Sequence, residues 1–346
     1  MACSGGNPLN KITKTERGYE LALQTRITEM LGIKYPIMCG GLQNIATPEL
    51  AAAVSNAGGL GTINISMWPD LNDFRDAVKK TKSLTDKPMC VNISMIPGVD
   101  MGDKIQRYIN ICGEEKVEVL ETSGKDPAEL VPLIRSLGIR HIHKVPAVKH
   151  GVRAEKSGAE IISIVGAECG GHPGADMIGT FILGAEAYGK YKAPYQLGGG
   201  VYNGRTLAAA MALGAEGVVV GTLFCASKEA PISDNHKQWI IGAADKDTVL
   251  CQKSIKNVVR VANNQTARDC LEMEKKPGVT LQDLMPIIGG NIGKEAYKSG
   301  DISKGMFPVG QVVGSITEIK SVKDIIDGMV TEAVEVLGQL DALRRN

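Results

Sequence analysis

Aromatic side chains make up only 4% of the 346 residues, and no excess charge of either sign exists: 39 basic and 38 acidic residues leave a formal charge of +1. A balanced charge excludes the basic face of a nucleic-acid binder and an acidic tail. No apolar run reaches 18 residues, so no membrane-spanning helix is expected. Residues 1–24 (MACSGGNPLNKITKTERGYELALQ) contain no apolar segment of signal-peptide length, and read as an N-terminal arm. The eight cysteines form no C-x-x-C pair and have no histidines at zinc-finger spacing, so no metal site is expected. Several, such as Cys90 in PMCVNI, sit in apolar runs and read as reduced thiols used as small hydrophobes. Reduced thiols imply a reducing compartment, and hence the cytoplasm.

What the chain does have is glycine, 41 residues of it. A glycine-rich, aromatic-poor chain suits tight strand-to-loop turns and backbone lying close to a ligand. Its length suits one large domain, or a large one with a smaller one.

Short apolar, β-branched runs recur, most ending in glycine or a polar cluster and alternating with helical patterns. They are Tyr35–Met38, Gly59–Ile65, Pro88–Ser94, Val117–Thr122, Ile139–Val145, Glu160–Val165, Pro194–Leu197 and Gly217–Val220. Among the helices, Thr47 caps and Pro48 opens one in which Leu50, Ala53, Val54 and Ala57 repeat at helical spacing. Segments 127–137 and 204–214 read similarly. Eight such units predict an α/β fold, a parallel (β/α)8 TIM barrel; a doubly wound open sheet is the alternative. The first strand–turn–helix lacks G-x-G-x-x-G, so a Rossmann dinucleotide site has no support. The pattern breaks after the eighth strand. Residues 225–315 read as an inserted, mostly helical cap, with helices over 236–244 and 265–274. An amphipathic helix over 318–343 would close the barrel, giving a barrel of 25–224 plus 316–346.

In such barrels the site forms at the C-terminal strand ends. There the chain places Met38, Cys39, Gly40 and Gly41, then Asn92, Lys144, the stretch GAECGGHPG over 166–174, Gly198 to Gly200, and Gly221 with Thr222. The glycines after strands seven and eight suit backbone N–H groups closing on a phosphate, helped by the helix beginning near residue 204. Lys144 reads as a cation for an electron-rich ring, and Asn92 as a buried amide in need of partners. His141 and His143 lie on the opposite strand face from Lys144 and are expected outside the site. His172, in GAECGGHPG, suits proton transfer near neutral pH.

The segments PIMCGGLQNIATPELAAAVSNAGGLGTI, HK at 143–144, GAECGGHPG, LGGGVYNGRTLAAAMALGAEGVVVGTLF and GMFPVGQVVG, in that order, resemble the nitronate monooxygenase family, formerly 2-nitropropane dioxygenases. The resemblance spans roughly residues 25–340. It implies an FMN-dependent barrel with a cap, in a family that includes NAD(P)H:quinone reductases and flavin enoyl-acyl-carrier-protein reductases. By motif match it implies that Met38, Cys39, Gly40 and Gly41 meet the flavin ring, Asn92 and Lys144 its pyrimidine side, and Cys169, Gly170 and Gly171 its face. It further implies that Gly199, Gly200, Gly221 and Thr222 hold the phosphate and that His172 is the catalytic acid/base. The expected activity is oxidation of alkyl nitronates to a carbonyl compound and nitrite. The alternatives are reduction of a quinone or activated alkene with NADH or NADPH as reductant, and a flavin-free isomerase or lyase of a phosphorylated metabolite. The partner expected is a small-molecule substrate, with a homodimer left open.

Overall fold

A computed structural model of the chain describes residues 14–15, 18–19, 23–95 and 102–343. Most of the expected N-terminal arm lies outside the described residues. Eight parallel strands form the barrel: β1 (Ile37–Cys39), β2 (Gly61–Asn64), β3 (Met89–Ser94), β4 (Val119–Ser123), β5 (Arg140–Val145), β6 (Ile161–Val165), β7 (Tyr195–Gly198) and β8 (Gly217–Val220). From β2 to β8 each strand pairs with the next in sequence, and β8 pairs with β1. A parallel bridge between Met38 and Leu60 joins β1 to the start of β2 and completes the ring.

Both faces of these strands are buried, as their continuous apolar runs demand. Residues alternate in and out. Met38, Leu60, Cys90, Val119, Ile142, Ile161 and Val219 share one interior cluster, which Ile27 and Leu31 of α1 (Arg26–Leu31) cover from below. Outward residues such as Ile63, Val91 and Ile164 pack against surrounding helices. Those helices are α2 (Pro48–Asn56), α3 (Leu71–Leu84), α4 (Lys104–Glu114), α5 (Val131–Ser136), α6 (Val148–Ser157), α7 (Thr180–Ala187), α8 (Gly204–Ala212) and, after the four-residue α9 (Thr222–Cys225) and the segment beyond it, α14 (Val322–Leu343). Thr47 caps α2 as expected, its hydroxyl accepting from the Leu50 N–H. α5 starts at Val131 rather than near 127, with Pro132 in its first turn and residues 128–130 in a turn.

The segment between α9 and α14 holds α10 (Asp234–Gly242), an antiparallel hairpin of β9 (Thr248–Cys251) and β10 (Val259–Ala262), then α11 (Gln265–Glu274), α12 (Leu281–Ile288) and α13 (Gly290–Ser299). The sequence reading found α10 and α11 and missed the hairpin. Cys251, Val259, Val261, Ala267, Cys270 and Leu284 make a small core of the segment's own. Among the described residues no helix is long and apolar enough to cross a membrane.

Candidate active site

Following the inward-facing residues up each strand, the barrel turns from apolar to polar. Above Leu60 comes Thr62, above Cys90 Asn92, above Val119 Glu121, above Ile142 Lys144, and above Ile161 Ser163. Asn92 does not end its strand: β3 continues to Ser94, which sets Asn92 one layer below the rim, fully buried. Gly41 lies directly over it, since a Cβ there would fall 2.5 Å from the Asn92 amide carbon. The Gly41 carbonyl accepts from Asn64 Nδ2 at 3.0 Å. Met38 points into the interior, its sulfur 3.2 Å from Gln196 Nε2, and burial pushes the Cys39 thiol up. Met38 therefore lies inside the barrel, and Cys39, next along the strand, faces out into the cluster that holds Val220 and Cys225.

Lys144 and Asn92 meet on a residue that the sequence reading passed over. Glu121 is fully buried on β4, and its Oε2 accepts from Asn92 Nδ2 and, at 3.1 Å, from Lys144 Nζ. Strand register places it there: Asn92 lies opposite Glu121, and Ser123 opposite Lys144. The Lys144 side chain keeps 23% exposure, so its head reaches toward the mouth while the carboxylate stays below. Glu121 Oε1 and Ser163 Oγ, both buried, find no partner among the described residues. VEVLET reads as ordinary alternation; only the barrel's inward face gives its glutamate meaning.

The GAECGGHPG stretch forms the loop after β6. Glu168 turns back to bind the N–H and hydroxyl of Thr180, fixing the start of α7. Arg260 of β10 reaches the Ala167 carbonyl, with Nη2 at 3.0 Å, and its backbone pairs with Gly171 as an antiparallel bridge. The hairpin of the inserted segment is thus strapped to this loop. Gly170 and Gly310 press backbone on backbone: a Cβ on Gly170 would fall 2.6 Å from the Val309 carbonyl carbon. Gly170 is therefore needed where two loops meet, while Gly171 (φ 79°) has open space where a side chain would point. His172 follows, exposed at the mouth. Desolvation by the surrounding protein, and then the Lys144 charge, lower its pKa, favouring the neutral imidazole. Burial pushes the Cys169 thiol up to about 12, Lys144 opposing, so it is no thiolate nucleophile.

Of the two glycine-rich loops, the one after β7 turns through Gly199 (φ 87°) and Gly200 (φ 78°), and neither N–H donates to a protein acceptor among the described residues. The helix expected to face the ligand there is already satisfied. Asn203 caps α8, and the Gly204 N–H donates to Glu332 of α14 at 2.8 Å. After β8, α9 begins at Gly221 with no side-chain cap, and the Thr222 hydroxyl accepts from the Gly310 N–H at 2.8 Å.

His141 and His143 point outward, as expected. Both ring nitrogens that face Thr122 lie within 2.8 Å of its hydroxyl. Burial lowers both imidazoles to about 4. Among the described residues no cluster of His, Cys, Asp and Glu suits a metal ion.

The family model for nitronate monooxygenase matches residues 24–332. A Rhodococcus jostii protein named (3aS,4S,5R,7aS)-5-hydroxy-7a-methyl-1-oxo-octahydro-1H-indene-4-carboxyl-CoA dehydrogenase is 30% identical, with 93% of this chain and 99% of the relative covered. A probable nitronate monooxygenase of Staphylococcus saprophyticus is 28% identical over 92% of this chain and 100% of its own. The structure of FabK from Thermotoga maritima superposes with a TM-score of 0.85 at 34% identity, covering 92% of this chain and 99% of that one. These relatives each match over 92–93% of the chain. The chain belongs to the nitronate monooxygenase family and is an oxidoreductase.

Proposed function

We propose that the protein is an FMN-dependent oxidoreductase that exchanges hydride and proton equivalents with a carbon beside an acyl thioester. The observation that carries this reading is the cluster at the C-terminal strand ends: Lys144, ion-paired at 3.1 Å to the buried Glu121, lies close enough to His172 for its charge to favour the neutral imidazole. Flavin dependence is a property of the family, and the residues here fit the group. Among the described residues the Gly199 and Gly200 N–H groups meet no acceptor, Gly171 leaves open space, and Glu121 Oε1 meets no donor. FMN, when bound, supplies the hydride-accepting and hydride-donating centre.

The chain's own residues do the rest. Gly199, Gly200 and the uncapped start of α9 bind the phosphate through amides. The backbone of Met38 to Gly41 and of Cys169 to Gly171 orients the ring, with Lys144 at its pyrimidine side and Asn92 supporting that side from beneath Gly41. His172 holds or moves a proton on a ring nitrogen; a neutral imidazole serves as base for desaturation and, once protonated, as acid for reduction. Residues 225–315 act as a cap domain that excludes water from the mouth. The first turn of α7, tethered to the site by Glu168, exposes Phe181 and Ile182 at 71% and 62%. That apolar surface beside the mouth suits an acyl group, and the R. jostii relative is named for a CoA-linked substrate.

Nitronate oxidation is the second reading, supported by the family model and the S. saprophyticus relative. Anaerobic mixing separates the two. Bleaching of the yellow protein by a saturated acyl-CoA, or bleaching by NADH or NADPH that an α,β-unsaturated acyl-CoA reverses and a quinone does not, supports thioester redox chemistry. Bleaching by a nitronate alone overturns it in favour of the second reading.

A further inference from the structure

The Lys144 ammonium is the cation nearest the proposed pyrimidine edge, yet the fold sets a buried carboxylate directly behind it. A single oxygen, Glu121 Oε2, serves both Lys144 and Asn92, while Oε1 has no donor among the described residues. Tethering an amide and an ammonium needs only a neutral acceptor. A full carboxylate, desolvated and half unsatisfied, costs free energy that a glutamine would not. Its distinctive contribution is charge.

We propose that Glu121 is a positioning residue that fixes Lys144 and Asn92 and cancels the lysine's charge, so that bound FMN is harder to reduce than a lone lysine would make it. The inference rests on the FMN reading above. The physics is elementary. Reduced flavin carries added negative charge near its pyrimidine ring, and a nearby cation stabilises that form. An anion held behind the cation converts a monopole into a dipole, whose field at the ring falls more steeply with distance than that of one charge. Because the pair is enclosed by the barrel wall, solvent does not screen it as it would a surface pair.

The test uses wild type, Glu121→Gln, Glu121→Thr, Lys144→Met and the Glu121→Gln/Lys144→Met double variant, each purified with FMN. Each is reduced slowly without oxygen beside a dye of known potential, and the ratio of reduced to oxidised FMN is read at a fixed dye ratio. Both Glu121 variants should raise that ratio by about tenfold, equal to about 30 mV for a two-electron couple. Lys144→Met alone should lower the ratio, and Glu121→Gln added to it should raise it again by a similar factor, because the potentials of the two charges at the ring add. A folded Glu121 variant that stays within about threefold of wild type overturns the proposal, as does a Lys144→Met change that fails to lower the ratio, or a rise in Glu121→Thr without one in Glu121→Gln, which would indicate repacking instead. A wild type that does not bind FMN overturns the flavin reading and this inference with it. A yellow wild type with unmoved variants overturns this inference alone.

Discussion

At the residue scale the mouth is governed by the charges around His172. Desolvation and Lys144 both hold its imidazole below the ordinary value of 6.5. The acid limb of kcat/KM should therefore lie below pH 6.5, and Lys144→Met should move it upward by removing one of the two causes. An acid limb that stays put in Lys144→Met would show that the lysine does not act on His172. His172→Ala should keep FMN yet lose roughly 10²-fold or more in turnover, the usual size of general acid–base catalysis; near-normal turnover would make it a bystander. His141 and His143 give a different pH signal. Their folded pKa near 4 lies below the unfolded 6.5, so the unfolded chain binds more protons between those values. Stability is complete above about pH 6.5 and falls as pH drops toward 4, by up to about 3 kcal/mol per histidine. Urea titrations at stepped pH should show this loss, and a His141→Gln/His143→Gln variant should flatten it.

At the element scale the loop after β6 is held from two sides, by the β10 hairpin through Arg260 and by Gly310 against Gly170. Adding a methyl at Gly170 forces backbone atoms apart where nothing flexible can yield. Gly170→Ala should cost about 1–3 kcal/mol by overpacking, and should loosen FMN as the loop shifts. Gly171→Ala meets no atom, so backbone strain of about 1 kcal/mol should be its whole cost. Equal melting temperatures for the two variants would refute the contrast. This strap was not legible in the sequence. The hairpin strands TVLC and VRVA are four residues each, separated by a polar stretch, and the second carries an arginine. They give too little alternation to register as strands. By contrast, the eight barrel strands were legible because each is a short apolar run, most closed by glycine or a polar cluster. Glu121 was hidden for another reason. Local alternation does not say which face turns inward, and only the pairing of β3, β4 and β5 brings Glu121 to Asn92 and Lys144.

At the scale of the whole molecule, the barrel grades from an apolar floor covered by α1 to polar strand ends whose loops meet Arg260 and Gly310 from the segment between α9 and α14. The mouth residues come from strands β1, β3, β5, β6, β7 and β8, so a ligand bound there ties distant parts of the chain together. FMN should raise the melting temperature, by the equivalent of about 2.7 kcal/mol at a hundredfold excess over Kd. The phosphate reading also became sharper at this scale: α8 is occupied by Asn203 and Glu332, leaving the Gly199–Gly200 turn and α9. The most direct measurement is FMN stoichiometry in wild type and in a Gly200→Trp variant, read from the visible spectrum and from flavin released on denaturation. Flavin dependence requires one FMN per wild-type chain and marked loss in the variant. A wild type that is colourless and stays so after incubation with FMN would contradict it.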